Sequence, residues 1–282
     1  LYNGVQSAAA ALHKLFAILD ATPEVDEAPD AVALPARGDL AVSGVTFSYA
    51  RSAQPALRDV SLVVRDGERI ALVGPTGAGK STLAKLMARL YDPSTGEVSY
   101  GGMNLRGGTH ASLRQRIVVV PQEGFLFNGT IRDNVRLARI AATDAEVESA
   151  LDRLGVLAHF ERLPEGLDTE VRERGTRLSA GERQLVALGR AALVDPAVLV
   201  LDEATSNLDP GTEAEVEAAL ERLMQGRTTI VVAHRLSTVQ RADRIVVVDG
   251  AQLAEIGTHA ELVALGGKYS ALATAWVTSH HA

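Results

Sequence analysis

One nine-residue stretch constrains this chain more than any other. Gly74 to Thr82, "GPTGAGKST", stands between the apolar run "RIALV" and a helix-forming segment that begins near Lys80. It fits G-x-x-x-x-G-K-[ST], a pattern that works only where a strand ends and a helix begins. Gly74, Pro75, Thr76, Gly77, Ala78 and Gly79 supply a loop whose backbone N–H groups can wrap phosphate oxygens. The helix dipole behind the loop favours their negative charge. Lys80 then reaches the β- and γ-phosphates, and Ser81, followed by Thr82, offers its hydroxyl to Mg2+.

The remaining pattern suits such a loop. Residues 1–19 read as one amphipathic helix, with Val5, Ala9, Leu12, Phe16 and Leu19 at spacings of three and four. Residues 20–39 hold three prolines and six acids and read as a linker. "LAVSGVTFSY" alternates like a strand, and "ALRDVSLVVRDGERIALVG" reads as two more strands joined at Asp66-Gly67. From there short apolar runs ("RIVVVPQ", "AVLVLDEA", "TTIVVAH", "RIVVVDG") interleave with segments of helical character, among them 143–162 and 179–193. Strands that alternate with helices predict a parallel sheet covered on both faces.

Polar residues cluster where the apolar runs end. Asp202 closes "VLVLD" and offers a carboxylate to a cation at the carboxyl end of its strand, where ligands bind in such sheets. Glu203, next in line, can polarise an attacking water as a general base. Gln122 follows "VVVP", His234 follows "TIVVA", and Asp209 lies just past "DEATSNL". Gln122, His234 and Asp209 each read alone more readily as a strand-end cap, a satisfied histidine and a helix N-cap before Pro210; their order and spacing make the case. Further along, "RLSAGERQ" has Ser179 three residues before Glu182, the pattern of a capping box at a helix start.

Composition narrows the function classes. The formal charge of −7 leaves no basic footprint for nucleic acid, and the absence of cysteine excludes disulfides and thiolate metal sites. No run approaches the roughly 18 apolar residues of a membrane span, and no basic segment leads into an apolar core as in a signal peptide. The chain starts at Leu1 rather than methionine, which suggests a piece of something longer.

Taken in order, these motifs resemble the nucleotide-binding domain of an ATP-binding cassette (ABC) transporter, of the exporter type, over residues 40 to about 275. The resemblance implies an α/β fold: a RecA-like P-loop ATPase core, an antiparallel β subdomain, and an inserted helical signature subdomain at about 125–195. It assigns the phosphate loop to the family's Walker A motif and "VLVLDE" to Walker B, with Asp202 toward Mg2+ and Glu203 as catalytic base. Gln122 takes the place of the Q-loop glutamine that touches Mg2+ and the lytic water. His234 is the switch histidine on the γ-phosphate, and Tyr49 stacks on adenine. "SNLD", ending in Asp209, is the D-loop. "LSAGE" stands where the family reads LSGGQ, so that Ala180 and Glu182 replace Gly and Gln, while Ser179 and Gly181 remain.

The resemblance further implies ATP and Mg2+ as ligands and a second cassette as partner, docked head to tail so that each ATP lies between one phosphate loop and the opposing signature helix. A transmembrane domain fused upstream would contact the neighbourhoods of Phe125–Phe127 and Glu173–Gly175. Residues 1–19 would be the cytoplasmic end of its last helix, residues 20–39 an acidic linker and residues 40–282 the cassette, at the cytoplasmic face of the plasma (inner) membrane.

Alternatives remain open. DNA-repair and chromosome-organising ATPases share the core, but Gln122 and Ser179 leave room between them only for a small helical subdomain. An importer ATPase is a second alternative. A third is a nucleotide-binding module that scarcely hydrolyses, and a fourth is one half of a heterodimer whose altered signature impairs one site. Whether Glu182 folds back on Ser179 or faces the nucleotide bears directly on the last.

Overall fold

The computed structural model of the chain describes residues 2–20, 23–50, 52, 54–122, 124–171, 175, 177–202, 210–233 and 235–279. Helix α1 (Tyr2–Leu19) leads in, and strands β1 (Leu40–Phe47), β2 (Leu57–Val64) and β3 (Arg69–Val73) follow. Next come α2 (Lys80–Met87), β4 (Thr95–Tyr100), β5 (Met103–Asn104), α3 (His110–Arg116) and β6 (Ile117–Val120). The helical insertion holds α4 (Ile131–Arg136), α5 (Asp144–Leu154), α6 (Leu157–Glu161) and α7 (Ala180–Val194). The chain then runs through β7 (Val198–Asp202), α8 (Pro210–Met224), β8 (Thr228–Val232), α9 (Leu236–Gln240), β9 (Arg244–Asp249), β10 (Gln252–Gly257), α10 (His259–Leu265) and α11 (Lys268–Ser279).

Two sheets organise these elements. An antiparallel sheet in the order β2-β1-β4-β5 lies over a six-stranded sheet in the order β10-β9-β3-β8-β7-β6. In the larger sheet β9, β3, β8, β7 and β6 run parallel, and β10 closes one edge antiparallel to β9. This is the α/β architecture expected: a parallel ATPase core, an antiparallel subdomain and an inserted helical subdomain. The central strands are apolar on both faces, as β8 shows with all five residues buried. One core layer, with Leu40, Val45, Leu62, Ile70, Leu83 and Val232, fills the space between the two sheets. The other packs Val120, Leu151, Leu185, Leu201 and Val247 between the parallel sheet and the helical insertion.

Three features depart from the simplest reading of the pattern. The helical stretch at 143–162 is two helices, because Gly155 caps α5 in the left-handed region at φ 70 and turns the chain. β2 and β3, joined at Asp66-Gly67, enter different sheets. Residues 23–39 are stitched to the cassette: the Arg89 guanidinium donates to Asp26 O at 2.8 Å, Leu34 N to Ser112 Oγ at 3.0 Å, and Val32 bridges Gly108. Among the described residues no helix is long and apolar enough to cross a membrane.

Candidate functional site

Parallel strands place their carboxyl ends at one edge, and among the described residues that edge carries Asp202 and Gln122, two of the polar residues singled out in sequence. Leu72 of β3 pairs with Val232 of β8, and Val232 pairs with Asp202 of β7. Asp202 therefore stands two strand spacings, about 10 Å, from the strand that feeds the phosphate loop. Leu201 pairs with Val120 of β6, so Gln122 emerges two residues beyond that strand at the same edge, exposed. Ala233 donates its N–H to Leu72 O at 3.1 Å, which carries the chain out of β8 beside β3. His234 comes next, and it lies outside the described residues, as do Glu203 and Asp209.

The phosphate loop is shaped by its backbone. A Cβ on Gly74 would stand 2.0 Å from Val248 O, and Gly74 has φ 142. At Gly79, with φ 111, a Cβ would meet Ala56 O at 2.7 Å. Only glycine fits either place. Gly77, at φ 80, has nothing within 4 Å of its missing Cβ, which leaves the backbone there open to close approach. Pro75, Thr76 and Gly77 are exposed along the loop's crest while Ala78 is buried beneath it. Lys80, only 5% exposed, folds back over the loop and donates from Nζ to Gly74 O at 2.9 Å and Pro75 O at 3.1 Å. The α2 N-terminus has no side-chain cap, so its positive end faces the loop.

Ser81 and Thr82 sit in the first turn of α2. The Ser81 hydroxyl, the Gln122 amide oxygen and the Asp202 carboxylate are hard oxygen donors. That set suits Mg2+, which takes few protein ligands and completes its shell with phosphate oxygens. Tyr49 lies beside the same turn, its hydroxyl 3.1 Å from Thr82 Oγ1. It packs edge-on against Phe47 at 4.9 Å and Tyr91 at 5.4 Å between ring centres. The aromatic group beside the loop therefore includes Tyr91, which no motif announces.

The second candidate region is the start of α7. Its capping box is complete: Glu182 N donates to Ser179 Oγ at 3.1 Å, and Ser179 N donates to Glu182 Oε2 at 2.7 Å. Glu182 is thus turned back along the chain. Gly181 is buried against α8, where a Cβ would lie 2.0 Å from Thr212 Cγ2. Gln184, one turn on, donates from Nε2 to Pro121 O at 3.3 Å, joining α7 to the segment that carries Gln122.

Beyond Gln122 the chain exposes Phe125 and Phe127, stacked edge-on at 5.0 Å, beside a cavity of about 320 Å3 lined also by Val118, Ala187 and Arg190. Arg190 of α7 braces this loop through Phe125 O at 2.6 Å and Asn134 Oδ1 at 2.7 Å, and its burial lowers its pKa. Asn134, 1% exposed, in turn holds Phe127 N at 2.9 Å. Sequence reading misses Arg190 and Asn134 because they serve backbone atoms on another element. Gly175 adopts φ 70, and Glu173 and Arg174 lie outside the described residues.

Comparison with known proteins agrees with this geometry. The sequence profile of the ABC transporter family matches residues 57–206. The beta-(1→2)glucan export ATP-binding/permease protein of Nitrobacter winogradskyi is 48% identical over 275 residues, covering 97% of this chain and 45% of the relative. The ATP-dependent lipid A-core flippase of Desulfotalea psychrophila is 43% identical over 269 residues, covering 95% of this chain and 47% of that protein. A solved bacterial Atm1-family ABC exporter with ATP bound superposes with a TM-score of 0.84 at 39% identity, over 96% of this chain and 47% of that one. The chain therefore spans about half the length of the curated relatives it matches.

Proposed function

This chain belongs to the ABC transporter family of ATPase domains, and on that premise we propose that it is the ATP-driven motor of an exporter. The observation that carries the proposal is the single sheet edge onto which the phosphate loop, Asp202, Gln122 and the exit of β8 all open. In this reading the loop amides of residues 74–79 and Lys80 bind the phosphates of ATP, and Tyr49 supports the adenine. Ser81, Asp202 and Gln122 would hold Mg2+, which would neutralise charge on the phosphate oxygens. Glu203 polarises the attacking water and His234 contacts the γ-phosphate. Catalysis is then chiefly positioning and charge stabilisation.

Two cassettes meet head to tail in this reading, with Ser179, Gly181, Glu182 and Asp209 of one facing the nucleotide of the other. The backward turn of Glu182 supports a competent signature, because it keeps a carboxylate away from phosphate. Ala180 and Glu182 in place of Gly and Gln still favour testing a non-identical partner as the second reading. The exposed Phe125–Phe127 pair and the Glu173–Gly175 neighbourhood would dock a transmembrane domain, with residues 1–19 as the inner end of its last helix and the cassette at the cytoplasmic face of the membrane.

Steady-state phosphate release by the purified protein tests the motor. Turnover lost in Glu203→Gln, with that variant dimerising on gel filtration only when ATP is present, is the expected result. A wild-type protein of this chain alone that turns over ATP at both sites rejects the non-identical partner. A complete transporter with no ATP turnover would sink the motor itself.

A further inference from the structure

Glu182 has two carboxylate oxygens, and the capping box accounts for one. Oε1 stands 3.4 Å from Nε2 of His159 on α6. The other ring nitrogen of His159, Nδ1, stands 2.7 Å from Oε2 of Glu215 on α8. Arg162, one turn along from His159, lies 3.5 Å from the second Glu215 oxygen. The imidazole is therefore set between two carboxylates from two other helices, with Arg162 the cation beside them. The side chains of His159 and Glu182 are 19% and 18% exposed, so water screens the contact only in part.

The location gives this bridge its consequence. α7 and α8 approach closely where Gly181 meets Thr212, and α8 begins immediately after Asp209. His159 thus ties together the two helix starts that, in the reading above, face the opposing nucleotide. A carboxylate at N3 can swing toward the helix end or back along the chain. At this helix Oε2 is held on the backward side by the Ser179 N–H, and Oε1 faces His159 there, a contact that attracts when the imidazole carries both ring protons.

We infer that His159 is a positioning residue for the signature: it holds Glu182 turned away from the α7 N-terminus and couples that helix start to α8 through Glu215. The inference rests on the cross-dimer role of α7 proposed above. A glutamate at this position is then tolerated next to phosphate because a partner outside the motif restrains it. Without His159 only the Ser179 N–H, among the described residues, holds Glu182 back, so its charge approaches the bound anion more readily and ATP binding weakens.

A double-mutant cycle on the complete polypeptide that carries this chain tests the inference by steady-state ATP turnover. His159→Gln is expected to lower kcat/KM for ATP about fivefold, chiefly through KM, the size of one charge misplaced at a helix end. On the Glu182→Gln background the same change is expected to cost less than about 1.5-fold, because no charge remains to be restrained. Equal losses on the two backgrounds overturn the inference, since His159 then serves the fold and not the carboxylate. Should His159→Gln melt too low to assay, Glu215→Gln replaces it in the same cycle, with the same two outcomes. Ser179→Arg separates the underlying reading: turnover at the wild-type rate in that variant sinks the cross-dimer role, and the inference with it. An inactive Ser179→Arg together with equal losses on the two backgrounds sinks the inference alone.

Discussion

Two helices of this chain turn their N-termini toward phosphate in the proposed mechanism, and they are built in opposite ways. α2 starts after Gly79, at φ 111, with no side-chain cap. α7 starts at Ser179 with a complete capping box, and Glu182 is bound back onto the N-cap. The box uses the N–H groups of Ser179 and Glu182 and does not use those of Ala180 and Gly181. In that mechanism the first helix end would be finished by a ligand, helped by the charge of Lys80. The second is finished by its own side chains and offers a ligand only what the box leaves over. Affinity should therefore reside at α2, and dimer-dependent discrimination at α7.

The largest effect that can break this contrast is at α2. Lys80→Ala is expected to reduce ATP turnover by about 10²-fold or more, as removal of a charged stabiliser of the transferred phosphoryl group does. It should also abolish the rise in melting temperature that Mg·ATP is expected to give the wild-type protein. A Lys80→Ala protein that ATP stabilises as well as wild type would reassign affinity elsewhere.

At α7 the expected effects are smaller and structural first. Gly181→Ala drives a methyl group into Thr212, and overpacking of this kind costs about 1–3 kcal/mol. Melting should fall by roughly 5 °C for a chain of this size. Adding Thr212→Ser, which removes the methyl group it meets, should recover part of the loss. Ser179→Ala should cost about 1 kcal/mol, or roughly 2–3 °C, because one cap is lost while the Glu182 contact remains. A calorimetric melt decides each case. If Ser179→Ala destabilised more than Gly181→Ala, the cap rather than the α7–α8 contact would dominate this helix start.

The contrast also marks what a sequence can disclose. Gly74 to Thr82 was readable because spacing and strand–helix context are both local. The strand exits were readable because β6, β7 and β8 are short, largely apolar runs, each with a polar residue at its last position or two residues beyond, and parallel pairing brings those ends together. Gly155 was harder, since a glycine inside a helical pattern is tolerated often enough that only the fold shows it to be a cap. The pairing of β2 and β3 with different sheets depends on partners distant in sequence.

Side chains that serve remote backbone were silent. Arg89 holds carbonyls of Leu105 and Asp26, and Arg190 holds that of Phe125; a carbonyl carries no residue identity. His159 was silent for another reason: its two carboxylates come from α7 and α8, at no helical spacing from it. The composition of residues 20–39 spoke of an acidic linker and said nothing of the backbone hydrogen bonds that tie it down.

The smallest effect separates the capping box as a device from its use at α7. The same box opens α4, α5 and α10, at helix starts with no proposed ligand. There the N–H of Thr130, Thr143 or Thr258 holds the carboxyl of Asp133, Glu146 or Glu261 below its ordinary value, and the threonine hydroxyl adds to the shift. A folded-state pKa lower than the unfolded one gives stability that is present above the unfolded pKa and is lost as pH falls through the folded one. The ordinary values are 4.5 for glutamate and 3.8 for aspartate, so the loss begins near pH 4.5 and deepens below it. Because these groups are largely exposed, the effect on melting is small and screened by salt. The triple variant Asp133→Asn, Glu146→Gln, Glu261→Gln should melt slightly lower at pH 7 and show a shallower fall between pH 5 and pH 3.5, measured at low ionic strength. An unchanged acid slope would mean that the boxes contribute nothing through charge. The Glu182 box at α7 would then act through its hydrogen bonds with Ser179 and through the contact with His159, not through charge at the helix end.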